Sequence, residues 1–238
     1  MGTTEAVPTS ALAIYAHPDD IEIACGGTLS RWAMSGCRVD VVICTLGDKG
    51  STRTDLESSQ VASVRREEID RAAEVLGVSS VQMLGFPDGE VENTPDTRRE
   101  IVRLLRLLRP DVVLTHDPTA VFFGDSYVSH HDHRTVGWAV LDSCSPAVSS
   151  PLYFPEAGPA HHVRELLLSG TLQPDHWIDI GATIDLKVKA VECHAMRLEG
   201  IDVPEGLSIE NVVRHRAQEE GRRAGCTYAE GFRRIRLS

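Results

Sequence analysis

Two clusters of histidine and aspartate carry the residue types that bind a divalent metal ion. The first is His17-Pro18-Asp19-Asp20, which follows an apolar run, and the second is His130-His131-Asp132-His133. Imidazole nitrogens and carboxylate oxygens both suit zinc, and three such ligands leave a fourth position open for water. We expect His17 and Asp20 to supply two ligands. Asp19, adjacent but pointing elsewhere, is then free to act as a base.

The second cluster has the spacing of residues on one helix face. His130 and His133 are three residues apart, so they share a face if they begin a helix. One of them could bind the metal while the other faces substrate. Asp132 could hydrogen-bond a histidine ring nitrogen, which fixes the tautomer and raises its basicity. Zinc lowers the pKa of bound water from about 15.7 towards 7, so the chemistry expected here is hydrolysis at neutral pH.

Short apolar strands and helix-length segments alternate along the first half of the chain. The apolar runs predict strands at residues 11–15, 39–44, 81–84, 112–115 and 177–180. Apolar spacing near the helical repeat predicts helices at residues 26–34, 61–76, 97–108, 133–141, 184–198 and 209–223. This alternation predicts an α/β fold, a Rossmann-like and mostly parallel sheet with helices on both faces.

Polar residues follow the first four predicted strands directly. They are His17 to Asp20, Thr45 to Asp48, Pro87 to Gly89, and His116 to Pro118, the last followed by the second histidine cluster. Ligands of open parallel sheets bind beyond the carboxyl ends of the strands. We therefore expect one acidic, histidine-rich metal site at that edge.

The length of the chain suits one domain. With 238 residues it can bury one sizeable core, so residues 1–238 are interpreted as a single domain. Residues 1–142 carry the regular strand and helix alternation and form the Rossmann-like core. Residues 143–238 are less regular and are expected to complete the site.

Composition excludes several classes of function. A net charge of −11 opposes binding to a nucleic-acid backbone. No apolar run approaches the roughly 20 residues of a membrane span, and the first residues lack the basic start of a signal peptide. The six cysteines lack CxxC spacing, which argues against a disulfide framework or a thiolate metal site. We expect a cytoplasmic protein with a small-molecule partner, with homo-oligomer formation left open.

The chain resembles a known family at several ordered motifs. These are Ala16 to Asp20, Thr45 to Gly50, Arg65 with Glu68 ahead of Leu76-Gly77-Val78, Leu84 to Asp88, His130 to His133, and Tyr228 to Phe232. In order and spacing they look like the LmbE-like, or PIG-L, family of zinc-dependent N-deacetylases. The resemblance implies removal of an acyl group, in particular acetyl, from the nitrogen of an amino sugar or glycoconjugate.

The same resemblance assigns roles to individual residues. It implies three ligands for a single zinc ion, His17, Asp20 and His133. Asp19 is then the base, and His130 stabilises the developing oxyanion and can protonate the leaving amine, oriented by Asp132. Three further positions match family residues that contact sugar hydroxyls, Asp48, Arg65 and Asp88.

Other interpretations remain for some of these residues. Asp48 and Asp88 could each be turn residues beside glycine, and Arg65 lies in a charged run that a solvated helix face would explain. The roles of His116 and Tyr127 are left open. Residues 119–129, which border the mouth of the site, look longer than in many relatives, so the shape of the substrate is also open.

Three other functions compete with deacetylation of an amino sugar. A zinc amidase acting on a non-sugar amide or a thiol conjugate would use the same chemistry. A nucleotide-binding module is suggested by Gly26-Gly27, but the GxGxxG motif is missing and aspartates stand where a pyrophosphate would bind. A metal-binding regulatory protein would have no need of Asp19 as a spare base.

Overall fold

A computed structural model of the chain describes residues 6–198 and 208–237. Its strands are β1 (Ser10–Tyr15), β2 (Arg38–Thr45), β3 (Ser80–Phe86), β4 (Val112–His116), β5 (Phe122–Phe123), β6 (Tyr127–Val128), β7 (Glu165–Ser169), β8 (His176–Asp179) and β9 (Ala229–Arg236). Its α-helices are α1 (Asp20–Met34), α2 (Ser58–Leu76), α3 (Pro95–Leu108), α4 (His131–Asp142), α5 (Ile184–Glu192), α6 (Ala195–Leu198) and α7 (Ile209–Ala224).

Seven strands form one mostly parallel sheet in the order β3-β2-β1-β4-β7-β9-β8. The first five strands in this order pair in parallel, whereas β9 pairs antiparallel to both β7 and β8. The chain leaves β1 towards β2 and β3 on one side and later returns to β4 on the other. The sheet therefore has a topological switch point between β1 and β4, which is where such folds bind their ligands.

Helices cover both faces of this sheet, as the strand and helix alternation predicted. Leu12 and Ile14 of β1 belong to the apolar core that includes residues of α3 and α4. Ala11, Ala13 and Tyr15 point to the other face, into the core that includes residues of α1 and α2. A strand buried on both faces reads as a continuous apolar run, which explains why β1 was recognisable in the sequence.

The predicted elements differ from the structure at several places. Helix α1 begins at Asp20, so the predicted start at residue 26 was wrong: Gly26 and Gly27 lie inside the helix, and a Cβ on Gly27 would come within 2.7 Å of the Ile180 side chain. Strands β5, β6, β7 and β9 were not predicted, and the single helix predicted at residues 184–198 is two helices, α5 and α6. Charged and apolar residues alternate along β9, so its sequence lacks the continuous apolar run of β1. This strand pairs antiparallel with β7 on the far side of the sheet.

The fold brings the two histidine clusters to one edge of the sheet. His17 follows β1, His116 ends β4, and His133 lies in the first turn of α4. Among the helices of the described ranges, none is both long and apolar enough to cross a bilayer.

Candidate active site

Three predicted ligands form a compact triangle beyond the end of β1. His17 Nδ1 lies 3.2 Å from His133 Nε2 and 3.4 Å from Asp20 Oδ2. The third side joins His133 Nε2 to Asp20 Oδ1, at 3.2 Å. Two imidazole nitrogens and a carboxylate group thus lie close together, and each of the three residues can offer one atom to a divalent metal ion.

Asp132 contacts the far side of the His17 ring. Its Oδ2 lies 3.2 Å from His17 Nε2 and accepts the Gly89 N–H, while its Oδ1 accepts the Val91 N–H. A fully buried carboxylate held by two backbone donors is a rigid partner for that ring nitrogen. His130 Nδ1, by contrast, is 3.9 Å from Asp132 Oδ2. The carboxylate thus lies closer to His17 than to His130, the histidine that the resemblance implied it orients.

The surroundings of His17 favour positive charge. Burial alone lowers the pKa of His17. Hydrogen bonds to the carboxylates of Asp132, Asp20 and Asp88 outweigh burial and raise this pKa to about 12. The electrostatic field that retains a proton on the ring also attracts a metal cation, which competes with that proton for the same nitrogen. The chemistry of the donor set therefore fits a divalent cation.

A second group of candidate ligands shares His17. It consists of His17, Asp88 and His130, with Asp88 Oδ1 3.2 Å from His17 Nε2. That ring nitrogen is the one that contacts Asp132, and His130 is largely exposed. A histidine that binds a metal through one ring nitrogen usually bonds a carboxylate through the other. Because Nε2 of His17 contacts Asp132, its Nδ1 is the better placed metal ligand, and the group of His17, Asp20 and His133 is the better candidate site.

Asp19 lies beside this triangle in an unusual backbone conformation. Its φ of 108° is in the left-handed region that residues other than glycine rarely adopt. This turn sends the side chains of Asp19 and Asp20 in different directions. Burial raises the pKa of Asp19, and the charge of Arg65 only partly offsets that effect. A carboxylate with a raised pKa is suited to accept a proton near neutral pH.

Arg65 is held under this turn by α2. Its side chain donates to Asp19 Oδ1 at 2.7 Å and to the Pro18 carbonyl, and the residue is only 1% exposed. The turn after β2 covers it, and a Cβ on Gly47 would lie 3.0 Å from Arg65 Nε. The guanidinium thus faces the Asp19 carboxylate, away from solvent. This geometry favours neither the sugar contact that the resemblance implied nor a solvated helix face.

Asp48 and Asp88 lie in two neighbouring turns that bond to each other. Asp48 Oδ1 accepts the backbone N–H of Asp88 at 3.0 Å. The Asp88 side chain is buried against His17, and the protonated imidazole lowers the pKa of that carboxyl although burial opposes the effect. Asp48 therefore has the contact expected of a turn residue, while Asp88 contacts His17, a candidate metal ligand.

His130 caps the N-terminus of α4 and lies at the mouth of the site. Its ring is edge-on to His17, with ring centroids 4.7 Å apart. Nδ1 accepts the backbone N–H of Asp132 at 3.2 Å, so the neutral ring carries its hydrogen on Nε2. Partial burial and the charge of His17 lower the pKa of His130, which favours this neutral form.

His116 is a neighbour of the triangle that the sequence left open. Its ring stacks on His133 with centroids 4.1 Å apart, and its Nε2 lies 3.2 Å from Asp20 Oδ2. Nε2 also accepts the Ala16 N–H, and burial lowers the pKa of this histidine to about 4. A neutral ring here restricts His133 and Asp20. Its position directly after an apolar run was the sequence signal for it.

Comparison with known proteins shows the family of this chain. Residues 12–144 match the model of a protein family described as PIG-L: GlcNAc-PI de-N-acetylase. The matched segment contains every candidate site residue named above. The chain belongs to the PIG-L family.

PIG-L relatives of known activity match most of the chain. It is 33% identical over 228 residues to the diacetylchitobiose deacetylase of Thermococcus kodakarensis, which covers 93% of this chain and 81% of that protein. It is 28% identical to the 1D-myo-inositol 2-acetamido-2-deoxy-alpha-D-glucopyranoside deacetylase of Rhodococcus erythropolis. That match covers 62% of this chain and 56% of the relative.

Solved structures show the same PIG-L fold. The N,N'-diacetylchitobiose deacetylase of Pyrococcus horikoshii superposes with a TM-score of 0.85 at 29% identity, over 96% of this chain and 84% of that one. A 4-carboxy-2-hydroxymuconate hydratase from Pseudomonas putida shares the fold with a TM-score of 0.77 at 22% identity, over 97% of each chain. Because this second enzyme carries out a different reaction, function must be argued from the site and not from the fold.

Proposed function

We propose that this protein is a zinc-dependent hydrolase that removes the N-acetyl group of an amino sugar or glycoconjugate, releasing acetate and the free amine. The observation that carries the proposal is the partly buried triangle of His17, Asp20 and His133 with the Asp19 carboxylate beside it. A structural metal site needs no such adjacent base. The relatives' activities, acetyl removal from amino sugars, support the same reaction class.

The dimensions of the triangle suit zinc. Two ligand atoms about 2.0–2.1 Å from a tetrahedral zinc ion lie about 3.3 Å apart. His17 Nδ1 and His133 Nε2 lie 3.2 Å apart, and each lies near a different oxygen of Asp20, Oδ2 at 3.4 Å from His17 and Oδ1 at 3.2 Å from His133. Three protein ligands with a fourth position left open are the usual arrangement of catalytic zinc.

Asp19 is proposed to act first as the general base and then as the general acid of the reaction. Zinc, when bound, supplies a Lewis acid that polarises the amide carbonyl and makes water acidic. A carboxylate oxygen of Asp19 takes a proton from the attacking water. When the tetrahedral intermediate collapses, the C–N bond breaks and Asp19 returns that proton to the nitrogen, since an amide anion is a very poor leaving group. Asp19 ends the cycle ionised, as it began.

His130 is proposed to stabilise the oxyanion as a neutral ring. With Nδ1 accepting the Asp132 N–H, the Nε2–H is available to donate to the carbonyl oxygen as its negative charge develops. Asp132 is proposed to act through His17 by fixing the orientation of a metal ligand. Asp48 and Asp88 remain candidates for sugar contacts, although the Asp88 side chain is buried against His17.

Replacing Asp132 tests whether its carboxylate orients His17 or His130. Asp132→Asn removes the negative charge beside His17 Nε2, so we expect zinc affinity to fall about 10- to 100-fold, as for other partners of metal ligands. Competition with a chromogenic chelator would measure that affinity. If Asp132→Asn binds zinc like the wild type but loses only turnover, the carboxylate acts on His130 or on substrate instead.

Replacing Arg65 tests whether it positions Asp19 or binds sugar. Arg65→Lys keeps a cation but loses the planar fork, so we expect kcat to fall about 10- to 100-fold on sugar and non-sugar amides alike. Arg65→Ala leaves the Asp19 carboxylate buried without its partner and is expected to lower the unfolding temperature as well. Arg66→Ala, which removes a solvent-exposed neighbour, is the matched control. A loss confined to sugar substrates would instead place Arg65 in the sugar pocket.

Metal analysis and a substrate panel test the proposal as a whole. We expect about one zinc ion per purified chain, and acetate release from N-acetylglucosamine and its glycosides that stops when a chelator removes the metal. A non-sugar acetamide serves as the discriminating substrate. If it is cleaved as fast as the sugars, the enzyme is a zinc amidase of other amides. A cytoplasmic location stays a prediction from composition, and homo-oligomer formation stays open.

A further inference from the structure

The hairpin of β5 and β6 presents aromatic side chains beside the site. Phe123 of β5 lies opposite Tyr127 of β6, and their ring centroids are 5.7 Å apart. Phe122 lies opposite Val128, so this pair points to the other face of the two-stranded ribbon. Neighbouring residues of one short hairpin therefore face in different directions.

Only one of these phenylalanines reaches the cavity next to the base. A cavity of about 590 Å³ is lined by Phe123 together with Asp19. Its volume lies within the range of about 300–1,000 Å³ that is usual for ligand pockets. Phe123 is partly exposed, which places its ring at the rim, whereas Phe122 is 67% exposed and does not line the cavity.

The hairpin is anchored where it meets the site. The Ser129 N–H donates to the Val121 carbonyl at 2.8 Å, which closes the base of the ribbon. Arg134 of α4 donates to the Ser129 carbonyl. His130 follows directly, so the ring of Phe123 is connected to the proposed oxyanion donor through a short, hydrogen-bonded segment.

We propose that Phe123, supported by Tyr127, is a specificity-determining residue that stacks on a second pyranose ring attached to the reacting amino sugar. The proposal rests on the amino-sugar deacetylase function given above. One face of a pyranose ring presents C–H groups, and an aromatic ring at a cavity rim offers a flat apolar surface for that face. The position next to Asp19, rather than inside the metal site, suits a ring bonded to the sugar that carries the amide.

Kinetics on matched substrates tests this inference. For Phe123→Ala we expect the KM for N,N'-diacetylchitobiose to rise about 3- to 10-fold, the range of one aromatic contact, with kcat unchanged. Kinetics on N-acetylglucosamine should not change, and Phe123→Tyr should restore the wild-type KM. Phe122→Ala is the matched control from the outward face of the ribbon. An equal loss on both sugars, or no loss on either, would overturn the proposal.

A binding measurement separates this inference from the proposed function. Calorimetric titration of diacetylchitobiose into zinc-loaded Asp19→Asn and into Asp19→Asn/Phe123→Ala requires no turnover. We expect about 3- to 10-fold weaker binding to the double variant. Equal binding refutes the stacking role even if the wild type releases acetate. Weaker binding without any acetate release by the wild type would uphold the stacking role and refute the deacetylase function.

Discussion

Asp19→Asn is expected to keep its zinc and lose turnover by about 100- to 10,000-fold, the usual effect of removing a general base. The amide is nearly isosteric with the carboxylate and can still accept from Arg65, which contacts Asp19 Oδ1 at 2.7 Å. It cannot, however, accept the proton of the attacking water. Measurement of kcat together with the metal content of the same preparation checks both halves of the expectation.

A matched control sharpens this result. Asp125→Asn makes the same chemical change at an exposed aspartate in the β5 to β6 turn, and it should leave kcat unchanged. Wild-type turnover by a zinc-loaded Asp19→Asn enzyme would show that another residue is the base. Loss of zinc from Asp19→Asn would mean that Asp19 is a ligand, and the assignment of Asp20 would then need revision.

His17→Ala, Asp20→Ala and His133→Ala are each expected to reduce zinc from about one ion per chain to a small fraction, with acetate release falling to background. Each change removes one of three protein ligands, and the remaining two hold the ion poorly. Elemental analysis after gel filtration in metal-free buffer measures the loss. Purified variants with full zinc occupancy would contradict the ligand assignment.

His131→Ala provides the control for the histidine variants. His131 belongs to the same cluster, but its side chain is outside the triangle and its Nε2 contacts the Val91 carbonyl. We expect this variant to retain both zinc and activity. If it lost zinc like the others, the metal loss would reflect disturbance of the α4 N-terminus and not removal of a ligand.

The parallel core was predictable because its strands are buried on both faces. β1, β2 and β4 read as apolar runs, and all residues of β1 and β4 are buried. Strand β9 could not be recognised by that rule, since it alternates charged and apolar residues and pairs antiparallel. The start of α1 was misplaced because the unusual backbone turn at Asp19, which allows a helix from Asp20 onward, leaves no pattern in the residues.

The sequence by itself determined which donor atoms this protein has and at which sheet edge they meet. Both properties are local, because polar residues that follow apolar runs lie at strand ends, and parallel strands end at one edge. Only the tertiary structure decided which side chain contacts which. Asp132 contacts His17 across 115 residues of sequence, and Arg65 contacts Asp19 across 46. Such partners depend on how α2 and α4 pack beside β1, because contacts between distant segments form only when the whole core packs.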